Sequence, residues 1–230
     1  MSAPDYRSRI LPQSVAAFTD DSATRQALLR FTNRYRFALQ EMSTRIDILR
    51  QEFESMHEYT PIEHVSERLK NPDSIIRKAK HRGIPLTVEA IRNSVRDIAG
   101  IRVSCSFVND IYRVASMLVQ QSDLTVAEYK DYIEEPKPNG YRSLHLIVQT
   151  PIHLSDRIDH VYVEVQLRTV GMDFWASLDH KIHYKYDHQV PEYLLEELRS
   201  AAEDIDQLDR KMEHIHRQMQ ERKLADWLES

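Results

Sequence analysis

The sequence predicts an α+β fold, a sheet of four or five strands wrapped by helices, and two kinds of pattern carry that expectation. Two long stretches, one toward each end, place apolar residues at steps of three and four. Between them lie short runs of alternating apolar and polar residues, rich in β-branched side chains. Helices gathered around one sheet in this way define an α+β domain.

Taken in order, residues 1–20 are polar, contain Pro4 and Pro12, and are expected to be partly disordered. Residues 21–59 form the N-terminal helical segment. Leu28, Phe31, Tyr35, Leu39, Met42, Ile46, Leu49, Phe53 and Met56 make one amphipathic seam there. Asn71-Pro72-Asp73-Ser74 reads as a helix start, with Asn71 as cap and Pro72 in the first turn. That helix runs to about His81, stops at Gly83 and Pro85, and turns Ile75, Ile76 and Ala79 toward the sheet. Ile98–Phe107 is a strand with Ile101, Val103, Cys105 and Phe107 on one face, and Asn109–Gln121 a helix. Leu124–Ile133, Ser143–Thr150 and Val161–Thr169 are further strands, and Gly171–Tyr186 is helical. Residues 191–230 repeat the helical seam from Leu194 and Leu198 through Ile205, Leu208, Met212 and Ile215 to Met219. Both seams suit packing within the chain or between subunits.

Charged residues make up 29% and apolar ones 41%, which supports a sizeable core. No apolar run approaches the length of a membrane span, and the first residues lack a secretory pattern. The single cysteine, Cys105, excludes an internal disulfide and fits a reducing cytoplasm. A net charge of −5 argues against a stable nucleic-acid partner. Positive charge is instead local: Arg68, Lys70, Arg77, Lys78, Lys80, His81 and Arg82 stand against one acid, Asp73. Such a segment is a candidate site for a polyanionic ligand.

Three further constellations could carry chemistry. With Ser74 in a helix's first turn, Arg77, Lys78 and His81 follow on one face, suiting a triphosphate or simply facing solvent. Asp97 precedes an apolar strand and so should lie at the edge of the sheet. A carboxylate there can hold Mg²⁺ beside substrate phosphates, or pair with Arg96 or Arg102. In Val163–Thr169 the strand period sends Glu164, Gln166 and Arg168 to one face and Val163, Val165 and Leu167 to the core. Tyr141, Ser143 and His145 alternate in the same way with Arg142, Leu144 and Leu146. Two such polar faces offer a ring for a base and polar groups for ribose and phosphate, unless they simply face water. There is no GxxxxGK[ST], GxGxxG or HExxH motif.

These residues come in a specific order. Arg68-Leu-Lys70, Ser74-Ile-Ile-Arg-Lys78, Arg96-Asp97-Ile-Ala-Gly-Ile-Arg102, Lys137-Pro-Asn-Gly-Tyr141-Arg-Ser-Leu-His145 and Val163-Glu164-Val-Gln166-Leu-Arg168-Thr together resemble the RelA/SpoT-type synthetase domain. The resemblance spans residues 60–190, and with its flanking helices the chain looks like a stand-alone small alarmone synthetase. It implies a nucleotidyltransferase-like mixed sheet and transfer of the ATP pyrophosphate to the 3′-hydroxyl of GDP or GTP. By residue, it implies ATP contacts from Arg68, Lys70, Ser74 and Lys78, with Lys80, His81 and Arg82 as further candidates. Asp97 and Glu164 would bind Mg²⁺, Glu164 also serving as base. Tyr141 would stack on guanine, with Lys130, Lys137, Asn139, Arg142, His145, Gln166, Arg168 and Asp173 around the acceptor nucleotide. It further implies a homotetramer.

Long relatives carry a hydrolase domain built on a His-Asp motif. This sequence has no His-Asp dipeptide, so synthesis without alarmone hydrolysis is expected. An inactive nucleotide- or RNA-binding regulator is the competing reading, against which the presence of both Asp97 and Glu164 counts. A different nucleotidyltransferase would show a Gly-Ser pair followed by two acids, which is absent.

Overall fold

A computed structural model of the chain describes residues 22–56, 59–186 and 189–229. The stretch expected to be partly disordered, residues 1–20, lies outside the described residues. The elements are α1 (Ser22–Met56), β1 (Ile62–Leu69), α2 (Pro72–His81), α3 (Val88–Ser94), β2 (Ala99–Cys105), α4 (Val108–Val119), β3 (Thr125–Asp131), β4 (Leu144–His153), β5 (Ile158–Thr169), α5 (Val170–Lys185) and α6 (Glu192–Glu229). One mixed sheet has the order β1-β2-β5-β4-β3. Only β2 and β5 run parallel; the other pairs are antiparallel.

The sheet buries one face. Ala38, Leu39, Met42 and Ile46 of α1 and Ile111, Val114 and Leu118 of α4 pack on Ile101, Val103, Leu144, Leu146, Val163, Val165 and Leu167. Full burial of each such large side chain stabilises the fold by roughly 1.5–3 kcal/mol. Cys105 belongs to this core, and burial pushes its thiol well up from the ordinary value.

The opposite face is polar, and the register decides what stands there. Ser66 pairs with Arg102, Arg102 with Gln166, Gln166 with His145, and His145 with Lys130. The adjacent row runs Arg68, Gly100, Glu164, Ile147, Glu128. Residues paired in register point to the same side of a sheet, so two rows cross the five strands on this face, polar throughout in the first and interrupted by Gly100 and Ile147 in the second. The alternation in Val163–Thr169 therefore predicted the right faces.

Two expectations need correction, and two elements were not foreseen. Ile76 is exposed, because α2 turns only Ile75 and Ala79 inward. Ser143 is fully buried and donates to the Leu167 carbonyl at 3.0 Å, since the strand begins only at Leu144. Asp97 lies just before β2 begins at Ala99, in keeping with its expected place at the edge of the sheet, but Ile62–Leu69 adds a strand outside β2 that was not foreseen. Helix α3 was not foreseen. It has seven residues and buries none, so its one local signal is the Thr87 cap, whose hydroxyl accepts from the Ala90 amide.

The long C-terminal helix α6 packs on α5 and α4. Trp175, Leu198 and Ala202 form a second, small core there, with Tyr141 and Ile205 against it.

Candidate active site

Two adjoining cavities open on the polar face and share Asp97 and Glu164. The first, about 200 Å³, is lined by Arg68, Lys70, Asp97, Gly100, Ile101, Arg102, Glu164 and Gln166. The second, about 470 Å³, has Lys78, Arg82, Lys130, Tyr132, Lys137 and His145 in its wall beside those two carboxylates. The two carboxylates thus sit where the cavities meet.

Asp97 is held by the basic segment. The ammonium groups of Lys70, just past β1, and Lys78, on α2, both donate to Asp97 Oδ2, the latter at 2.5 Å. Neither Arg96 nor Arg102 is its ion-pair partner; Arg96 goes to Glu128 at 3.0 Å. Burial pushes the Asp97 carboxyl up, but the hydrogen bonds and charges of Lys70 and Lys78 outweigh it, and the net shift is downward. Its other oxygen, Oδ1, is buried without a hydrogen-bond partner. A buried oxygen of an ionised carboxylate left without a partner, beside the Glu164 carboxylate across the shared cavity lining, fits a divalent ion. Among the described residues no group of three or more His, Cys, Asp or Glu could hold a metal. A divalent ion would rest on two carboxylates and substrate oxygens, which suits Mg²⁺.

Glu164 belongs to a closed hydrogen-bonded ring. Gln166 Nε2 donates to Glu164 Oε2 at 2.9 Å, and Gln166 Oε1 accepts from Arg168 at 2.9 Å. Arg168 also donates to the Tyr141 hydroxyl at 2.7 Å, which lies 2.7 Å from His145 Nε2. His145 Nδ1 stands 3.3 Å from Glu164 Oε1 and closes the ring. A single set of protons satisfies it: Arg168 donates to Tyr141, Tyr141 to His145 Nε2, and His145 Nδ1–H to Glu164. Burial pushes the Glu164 carboxyl up, yet His145 and Gln166 together bring it below its ordinary value despite opposition from Asp97. Arg168, almost wholly buried, reaches Asp173 at 2.9 Å.

The aromatic side is built on a tight turn. Gly140 N donates to the Lys137 carbonyl at 2.8 Å and Lys137 N to the Tyr141 carbonyl at 3.1 Å, with Gly140 at φ +89°. Lys137 Nζ lies 4.6 Å from the ring centroids of both Tyr132 and Tyr141. Burial, mainly, pulls its ammonium down from the ordinary value.

Of the residues named from sequence, Arg68, Lys70, Lys78, Arg82, Asp97, Lys130, Lys137, His145, Glu164 and Gln166 line the two cavities. Tyr141, Arg168 and Asp173 join through the ring. The others stand apart. Lys80 and His81 are exposed on α2 outside both linings, and the Ser74 hydroxyl accepts from Arg77 at 3.1 Å. Asn139 caps the Tyr141 amide and lines a separate cleft with Leu195, Leu198 and Arg199. Arg142 pairs with Asp206 of α6. Conversely, Arg102 and Tyr132 line the cavities without having been singled out. Arg102 was legible as the outward position of an alternating strand, and Tyr132 as the position two beyond Lys130 in the expected strand Leu124–Ile133, although β3 itself ends at Asp131.

A mixed sheet whose open face sets two carboxylates between a cationic wall and an aromatic one defines a nucleotide-handling protein. The chain belongs to the RelA/SpoT family: the family model for the region found in RelA and SpoT proteins matches residues 67–189. It is 46% identical to the protein named GTP pyrophosphokinase YwaC of Bacillus subtilis strain 168, over 80% of this chain and 88% of that one. Among solved structures, small alarmone synthetase 1 from Bacillus subtilis bound to its product pppGpp aligns with a TM-score of 0.79 at 39% identity, over 85% of this chain and 99% of that one. The same synthetase bound to AMPCPP aligns with a TM-score of 0.74 at 35% identity, over 85% and 99%.

Proposed function

We propose that the paired cavities are a pyrophosphate-transfer centre, in which the β,γ-pyrophosphate of ATP moves to the ribose 3′-hydroxyl of GDP or GTP. The products are ppGpp or pppGpp and AMP. One observation carries the reading: Asp97 and Glu164 are the lining shared by two adjoining cationic cavities, the larger of which also has Tyr132 and His145 in its wall. Relatives named GTP pyrophosphokinase, and a neighbouring synthetase whose structures hold pppGpp and AMPCPP, support it.

The 3′-oxygen attacks the β-phosphorus, a new P–O bond forms, and the bond from that phosphorus to the α-phosphate oxygen breaks, releasing AMP. Glu164, kept ionised by its neighbours, takes the hydroxyl proton. Arg68, Lys70, Lys78 and Arg82 hold the donor phosphates, with Arg102 beside them. Tyr132, Tyr141 and Lys137 frame the acceptor base, and Lys130, His145, Gln166 and Arg168 fix its sugar and phosphates. Mg²⁺, when bound by Asp97 and Glu164, would neutralise charge on the transferring group. Holding both nucleotides in one basin supplies the orientation that an in-line displacement needs.

No described helix is long and apolar enough to cross a membrane, and we place the enzyme in the cytoplasm with its nucleotide substrates. The exposed stripe Leu208, Met212, Ile215 and Met219 on α6 supports self-association, with a tetramer expected.

Incubation with ATP, GDP and Mg²⁺ should yield AMP and ppGpp in equal amounts, resolved by anion-exchange chromatography. Formation of ADP would reject the transfer. Supplied ppGpp should stay intact, and its breakdown would reject synthesis without hydrolysis.

A further inference from the structure

We infer that helix α6, which lines neither catalytic cavity, sets acceptor affinity by holding the Lys137–Tyr141 turn in place through Ala202 and Asp206. The inference rests on the acceptor-site reading above.

Four contacts tie this region to α6. A Cβ placed on Gly140 would stand 2.7 Å from Ala202 Cβ and 3.6 Å from Arg199 Cα, so the turn lies flush against the helix. Two residues on, Arg142 pairs with Asp206, and both side chains are largely shielded from water. Trp175 Nε1 donates to the Leu198 carbonyl at 2.7 Å while its ring meets that of Tyr141 edge-on at 6.4 Å. Where β5 ends, the Thr169 hydroxyl donates to Asp209 at 2.7 Å. Tyr141 is therefore fixed from two sides, by the ring through Arg168 and His145 and by α6 through its neighbours Gly140 and Arg142.

The donor side is built differently. Arg68, Lys70, Lys78 and Arg82 sit on or beside β1 and α2, which are not among the elements that make the main packing with α6; near β1 the helix meets Tyr59, through His216, at the far end of the strand from Arg68. Loosening α6 should therefore weaken acceptor binding selectively. Asp206 and Ala202 are positioning residues, and Arg142 anchors the turn instead of touching nucleotide.

The test compares KM for GDP and for ATP in Tyr141→Ala, Asp206→Ala, Asp206→Glu and Ala202→Leu, with thermal midpoints measured alongside. Asp206→Ala and Ala202→Leu should each raise KM for GDP about tenfold, the usual size of such indirect coupling, and leave KM for ATP within about twofold. Asp206→Glu, which keeps the charge, should restore most of the GDP affinity. Equal changes in both KM values, or no change in either, would overturn the clamp, as would failure of Asp206→Glu to rescue. Should Asp206→Ala not fold, Asp206→Glu and Ala202→Leu still decide the matter. Tyr141→Ala separates the two levels. If it too leaves KM for GDP unchanged, the acceptor site itself is misplaced; if only it raises that KM, the clamp alone is wrong.

Discussion

Replacing Glu164 by Gln changes one oxygen to an NH₂ and leaves the side chain's shape intact, so its cost can be worked through the hydrogen-bonded ring. Gln166 Nε2 now donates to Glu164 Oε2, and the new amide can keep its oxygen there. Its NH₂ then faces His145 Nδ1, which accepts once the ring proton moves to Nε2. His145 next donates to the Tyr141 hydroxyl, which already accepts from Arg168. Every link survives, and only the tyrosine proton loses its acceptor. The structural cost is at most one hydrogen bond, about 0.5–1.5 kcal/mol, or a few degrees in thermal midpoint. Loss of a general base lowers turnover by about 10²–10⁴-fold, equivalent to about 2.7–5.4 kcal/mol. The two effects differ enough to be told apart. Single-turnover formation of AMP should fall by that factor, while nucleotide binding by calorimetry and the thermal midpoint stay nearly unchanged. Near-normal turnover, or binding that falls as far as turnover, would refute the assignment.

Other consequences follow from the same geometry. Arg82→Ala should raise KM for ATP about tenfold through a lost charged hydrogen bond, while Lys80→Ala and His81→Ala leave it unchanged; equal effects would show that cavity lining does not report donor contact. Asp97 and Glu164 both have folded pKa values below their ordinary 3.8 and 4.5. Their contribution to stability is then present above those ordinary values and fades only as pH falls through the lowered ones. Glu164 should likewise remain a competent base down to about pH 4.5, and an acid limb in kcat near pH 6 to 7 would contradict this. Cys105, buried with its thiol pushed up, should resist iodoacetamide in the native protein at pH 8 and react fully after unfolding, as followed by mass spectrometry.

The amino-acid order alone determined which way β2 and β5 face and where the long helices run. A strand repeats every two residues, so Glu164, Gln166 and Arg168 had to share a face once Val163, Val165 and Leu167 were buried. The seam of α1 likewise marked Tyr35, Leu39, Met42 and Ile46, all buried in the core. Short elements were harder to read. Helix α3 buries nothing, and β1 carries polar residues along much of its length, so periodicity had little to mark.

Tertiary structure decided the partners. Periodicity placed Arg77, Lys78 and His81 together on one face, and the resemblance added Lys80 and Arg82, but the rotation of α2 over the sheet sends only Lys78 of its residues to Asp97. Arg142 looked like a nucleotide ligand until α6, some sixty residues away in the chain, placed Asp206 beside it. Ser143 was assigned to the polar face because strand alternation was carried one residue too far back. Local repeats fix the face a side chain presents. What stands opposite depends on strand register and helix rotation, which are set by packing between segments distant in sequence.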